Sequence, residues 1–217
     1  MAVNDIQGVV LAGGRSSRFG SDKAEAVYRG KTMLSTAIKL IRELGAIGLV
    51  GGDVMVSCGQ KSMSLPGVTS VPDSRPNCGP LGGIESAIMA STADRLLFLT
   101  CDMPLVTSDM LVRQIKKVDE FPDTQAVAWK SRSGRISPFP LLISRSVITL
   151  LSDYIDTFEP QELTCHSTEN IEKPNRHIKK LSIKNFLNTL STTFIPIDSK
   201  ALFANVNTVD DLRSISG

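Results

Sequence analysis

The sequence predicts an α/β layered fold with a mostly parallel central sheet. Three observations predict it: apolar runs rich in β-branched residues alternate with helix-period segments, one strand lacks any polar alternation, and glycine or acidic turns follow the strand ends. Residues 6–12, IQGVVLA, stop at Gly13 and Gly14, as a buried strand feeding a loop does. In TMLSTAIKLIRELG the apolar Leu34, Ile38, Ile41 and Leu44 recur at three- and four-residue steps, so the segment reads as a helix with Gly45 placed to end it. DVMVS at 53–57 and GVTSV at 67–71 read as strands, and LGGIESAIMAS as the helix that follows. RLLFLT at 95–100 should be buried on both faces, and Cys101, Asp102, Met103 and Pro104 close it. LVRQIKKV and AVAWK continue the alternation. The polar stretch of about 153–180 holds two prolines and both histidines, and reads as an inserted loop. IKNFLNTL then reads as a helix and TTFIPI as a strand. In NVNTVDDLRSI, Thr208 can cap a short helix that starts at the acidic pair.

Composition excludes several classes. The 217 residues are 41% hydrophobic and 21% charged, enough for one domain with a sizeable core. Twenty-four Lys plus Arg stand against 22 Asp plus Glu, a net charge of +2, so a broad nucleic-acid surface is not expected. The balance is uneven, however. Residues 11–31 carry Arg15, Arg18, Lys23, Arg29 and Lys31 against only Asp22 and Glu25, a local basic stretch suited to a small anionic ligand. Cys58, Cys78, Cys101 and Cys165 form no CxxC pair, and the spacing is not a zinc framework. No basic-then-apolar leader opens the chain, and no run of about 18 apolar residues could span a bilayer. The expectation is a cytoplasmic protein with no membrane partner.

The most informative stretch is LAGGRSSRFGSDKA, residues 11–24. A strand ends, two glycines allow close backbone approach, and hydroxyls, two arginines and Lys23 follow, a composition that suits phosphate. It is neither a Walker loop nor a GxGxxG turn: five residues separate Gly14 from Gly20, and Ser21 and Asp22 precede the lysine. Read from residues alone, a solvated glycine turn remains open. So do a helix-cap role for Asp102, a turn role for Asp73 and an asparagine-rich turn at 205–207.

LAGGRSSRFGSDKA resembles the LAGGxSxRMGxDKA signature of the molybdenum cofactor guanylyltransferases, departing mainly at Phe19, where methionine is usual. Asp73 in VPDS, GPLGG at 79–83, CDMP at 101–104 and NVNT at 205–208 follow in family order. The resemblance implies a three-layer, Rossmann-like nucleotidyltransferase fold in one domain over 1–217, with a GTP-binding half of about 1–110 and an acceptor-binding half of about 111–217. It implies transfer of GMP from GTP to molybdopterin, or to its molybdenum-bound form, with release of pyrophosphate and with Mg²⁺ as cofactor. Leu11, Ala12, Gly13, Gly14, Lys23, Asp73, Gly79 and Asp102 would bind GTP, and Asp102 would hold the metal. Lys23, Asp102 and Arg15 would be the catalytic set, and Asn205 with Asn207 would meet molybdopterin. Partners would be these substrates, with transient contacts to cofactor biosynthesis and delivery proteins. A CTP-using cofactor enzyme, a sugar-phosphate nucleotidyltransferase or a non-catalytic nucleotide-binding regulator are the alternatives. Because the attacking phosphate is already an anion, the lack of a serine elbow, and of any cysteine near a histidine except Cys165 with His166 in the polar stretch, is consistent with this chemistry. Ser137, in RISPFPLL, stands where relatives often carry a basic or histidine residue near the pterin.

Overall fold

The computed structural model describes residues 6–13, 23–158, 181–199, 203–206, 208 and 211, with the backbone alone at Lys23. A seven-stranded sheet runs in the order β5-β4-β1-β6-β8-β7-β9. Its strands are β1 (Ile6–Leu11), β4 (Gly51–Ser57), β5 (Val68–Val71), β6 (Arg95–Thr100), β7 (Ala126–Lys130), β8 (Ile136–Ser144) and β9 (Thr192–Pro196). A small antiparallel pair, β2 (Val27–Tyr28) and β3 (Lys31–Thr32), stands apart from it. β8 is antiparallel to both neighbours, and the other pairings in the large sheet are parallel. The mostly parallel α/β fold expected from sequence is therefore present, with one reversed strand inside it.

Helices cover both faces. α1 (Met33–Ala46) and α3 (Ser108–Glu120) pack together on one side, while α2 (Pro80–Ala90) and α4 (Ile148–Asp156) pack together on the other. The short α5 (Ile183–Leu187) joins α4, where Tyr154 meets the Phe186 ring and donates to the Ser182 carbonyl at 3.2 Å. The periodicity that defines α1 buries Leu34, Ile38, Ile41 and Leu44 against β1 and β4, and Thr32 caps its start by accepting from Ser35 N. β6 is buried from Arg95 to Leu99, as its unbroken apolar run requires.

Two sequence expectations need correction. Gly45 lies inside the last turn of α1; the left-handed residue that ends the helix is Gly48 (φ +75°), with Gly48 N donating to Gly45 O and Leu49 N to Leu44 O, both at 3.0 Å. Asp153–Asp156 belong to α4 rather than to a loop, because Leu151 and Ile155 supply an apolar face that α2 buries. Residues 159–180 of that stretch lie outside the described residues. A further finding, on a segment the sequence left unassigned, is β8 itself, which Pro138 and Pro140 conceal from a strand reading, since proline removes a ladder donor. The sheet accommodates them where the β7–β8 register shifts between Val127 and Trp129. There the buried Gln114 donates to the carbonyls of Val127 (2.7 Å) and Pro140 (2.9 Å), replacing ladder bonds.

Candidate functional site

The carboxyl ends of β1, β4, β5 and β6 meet at one edge of the sheet, together with the start of α2. Ala12 N and Gly13 N both donate to the Ser57 carbonyl, at 2.8 and 3.0 Å, and so tie the first loop to the end of β4. These two N–H groups are thus committed to protein; any backbone cradle for phosphate must use later residues of the loop. Gly13 is required for a steric reason. A Cβ there would lie 2.6 Å from Gly59 N, in backbone that cannot yield. Cys101 N donates to Leu11 O at 3.2 Å, which fixes the end of β6 beside the same loop.

Asp73 follows β5 and is held from three directions. Its N–H donates to Gly59 O (2.8 Å), its carboxylate accepts from Ser57 Oγ (2.8 Å), and its carbonyl accepts from Gln60 Nε2 (2.9 Å). Gly83 packs under it, and a Cβ at that position would stand 2.5 Å from Ser57 Oγ and 3.4 Å from Asp73 Oδ1. Asp73 is therefore a fixed carboxylate rather than a plain turn residue. Gly79, at φ +59°, is the exposed residue that enters α2.

Asp102 follows β6, half-buried, with its Oδ1 inside the protein. It does not cap the next helix: Thr107 caps α3 by accepting from Met110 N. Its carbonyl accepts Val206 N at 2.8 Å, which ties it to the C-terminal segment. The buried Thr100 Oγ1 just before it has no hydrogen-bond partner among the described residues. Among those residues no three His, Cys, Asp or Glu side chains converge on a metal position. This end thus offers isolated carboxylates and leaves other positions to substrate oxygens and water, a donor set that suits a hard, octahedral divalent cation.

Beside Asp102 opens a cleft of about 710 Å³. Pro80, Met103, Arg135, Ser137, Lys184 and Asn205 are among its lining residues. Ile136, Phe139, Ile183, Ile197 and Phe203 give it an apolar wall. Phe203 in turn packs on buried Trp129, with ring centroids 5.0 Å apart. The size, apolar lining and few polar groups are those of a small-molecule site.

The structure thus brings Leu11, Ala12, Gly13, Asp73, Gly79 and Asp102 to one edge and Asn205 to the adjoining cleft. Gly14, Arg15 and Asn207 lie outside the described residues, and Lys23 opens a short 3₁₀ turn, Lys23–Glu25, without a described side chain. Thr208 and Asp211 make the reciprocal capping bonds expected at the C-terminal end, at 2.9 and 3.1 Å. Sequence reasoning missed Ser57, Arg135, Lys184 and Phe203. The Ser-Gly step before Arg135 is a readable turn signal; nothing local marks the others. At the opposite end of β6, burial pushes the Arg95 guanidinium pKa down, with Asp94 opposing, while its N–H groups donate to the Thr124 and Pro122 carbonyls.

Residues 8–164 match the MobA-like NTP transferase domain family. A molybdenum cofactor guanylyltransferase of Xanthomonas euvesicatoria is 39% identical over a stretch covering 48% of this chain and 50% of that enzyme, so this match spans half the relative's length. A probable molybdenum cofactor guanylyltransferase of Haloferax mediterranei is 29% identical over 96% of this chain and 92% of its own. In fold, the chain is similar to the molybdopterin-guanine dinucleotide biosynthesis protein A of Archaeoglobus fulgidus (TM-score 0.69, 18% identity, 97% and 96% of the two chains). It is also similar to Rv0371c of Mycobacterium tuberculosis, solved in complex with manganese (TM-score 0.62, 22% identity, 99% and 98%).

Proposed function

Because this chain belongs to the MobA-like NTP transferase domain family, we propose that it transfers GMP from GTP to the terminal phosphate of molybdopterin, free or molybdenum-bound. An oxygen of that phosphate forms a bond to the α-phosphorus of GTP, the bond from the α-phosphorus to the bridging oxygen breaks, and pyrophosphate leaves. The observation that supports the reading is a cleft of about 710 Å³ lined by Met103 and Asn205, with Met103 following Asp102 and Asn205 preceding the Val206 that bonds the Asp102 carbonyl.

The chain's part is alignment and charge balance. Leu11, Ala12, Gly13, Gly14, Asp73 and Gly79 form the nucleotide side, with Asp73 set in place by Ser57. Lys23 and Arg15 offset triphosphate charge. Asp102 would hold Mg²⁺, which when bound offsets charge on the phosphates and the leaving pyrophosphate. Asn205, exposed in the cleft, and Asn207 offer amide groups to the acceptor. In this division residues of about 1–110 serve GTP and about 111–217 serve the acceptor, although Pro80 and Met103 reach the cleft from the first half. A reducing cytoplasm suits a chain whose four cysteines include no CxxC pair. Among the described residues no helix is long and apolar enough to cross a membrane.

The test is pyrophosphate release by purified protein with Mg²⁺, labelled GTP or CTP, and molybdopterin or sugar phosphates. Release with GTP and molybdopterin is expected. A CTP preference would overturn the base, a sugar-phosphate preference the acceptor, and no release with any pair would leave a nucleotide-binding regulator. Lys23→Ala should raise KM for the triphosphate.

A further inference from the structure

Two cations line the acceptor cleft and have no role in the nucleotide chemistry. Arg135 stands at the tip of the β7–β8 hairpin, where Ser131 N donates to its carbonyl at 2.9 Å, and Lys184, on α5, lines the same cleft. Among the described residues neither has an ion-pair partner, whereas Arg75, Arg113 and Lys117 each do. The strand register places Arg135 away from the reacting end. β6 meets β8 through Phe98 and Leu141, which puts Phe139 level with the end of β6. At about 3.3 Å per residue Arg135, four residues before Phe139, stands roughly 13 Å further out along the hairpin.

A phosphate that attacks GTP beside Asp102 has its charge offset there. Two cations with no ion-pair partner among the described residues, lining a mostly apolar cleft, therefore call for a second negative group on the same acceptor. Resting on the GMP-transfer reading above, we infer that Arg135 and Lys184 form a distal anion subsite that grips the end of the acceptor opposite its reacting phosphate. The apolar wall of Ile136, Ile183 and Phe203 holds the planar ring system between the two charged ends. The distal group is a soft or oxo anion: the dithiolene of the metal-free acceptor, or the molybdenum-oxo unit of the loaded one. Arg135 suits either because its planar fork donates several bonds to an extended anion.

Trp129, the only tryptophan in the chain, contacts Phe203 in the cleft wall and provides a binding signal independent of turnover. Metal-free and molybdenum-loaded molybdopterin are titrated against wild type, Arg135→Ala, Lys184→Ala, the double variant and Arg135→Lys, with steady-state KM for GTP measured in parallel. Each single alanine variant is expected to weaken acceptor binding about tenfold and the double about a hundredfold, as loss of charge-assisted bonds does. Arg135→Lys should recover part of the loss, and KM for GTP should stay within about twofold. Weakening for both acceptor forms assigns the dithiolene end; weakening for the loaded form alone assigns the molybdenum-oxo unit. A double variant that binds both forms like wild type, or one whose KM for GTP rises as much as its acceptor Kd, overturns the subsite while leaving GMP transfer standing. Wild type that binds neither form overturns both.

Discussion

On the proposed nucleotide side, parallel strand ends are locked by main chain against main chain: Ala12 and Gly13 on Ser57, Asp73 on Gly59, Cys101 on Leu11. On the proposed acceptor side, the antiparallel β8 interrupts the ladder with two prolines, and side chains take over, with Gln114 bonding two strand carbonyls and Phe203 packing tilted against Trp129. The difference is one of how each region is held in place. Backbone contacts need small residues at set places and tolerate little change. Side-chain contacts can be exchanged without moving the sheet.

Mutations can break or sharpen this contrast. The largest effect is expected at the junction of the two regions: Asp102→Ala should lower kcat about 10³-fold, comparable to losing a principal electrostatic group. Urea unfolding should change little, and near-normal turnover would remove Asp102 from the metal site. Next comes the acceptor side, where Gln114→Ala leaves two buried carbonyls without their donor and should cost about 3 kcal/mol in urea melts. Its effect on GTP binding should be small if the two regions are separable. Gly13→Ala tests the nucleotide side. Its Cβ would meet backbone at 2.6 Å, so a loss of about 2 kcal/mol is expected, accompanied by weaker GTP binding. The smallest effect belongs to Ser57→Ala, which frees the Asp73 carboxylate from one bond. About 1 kcal/mol of stability and a few-fold rise in KM for GTP are expected, with KM for the acceptor unmoved. Equal changes in both KM values would show that the two regions are one mechanical unit.

Most of the strand ends that form the proposed nucleotide edge were legible in the sequence because their determinants are local. LAGG, VPDS, GPLGG and CDMP each pair a strand end with the small or acidic residue that must follow it. The acceptor cleft was not legible in the same way. β8 hides behind Pro138 and Pro140, and its place between β6 and β7 depends on a register shift that no local pattern announces. Ser137, expected to leave the pterin approach without a basic residue, lines the cleft together with Arg135. Its hydroxyl donates to the Phe139 carbonyl at 3.1 Å.

Sequence alone determined the alternation of strands and helices, the buried central strand β6 and the carboxylates at strand ends, since periodicity and turn chemistry act over a few residues. Tertiary structure alone decided that Ser57 holds Asp73, that Val206 anchors Asp102, and that Arg135 and Lys184 line one cleft. Those relations join residues far apart in the chain, and only the packing of β8 among parallel strands brings them together.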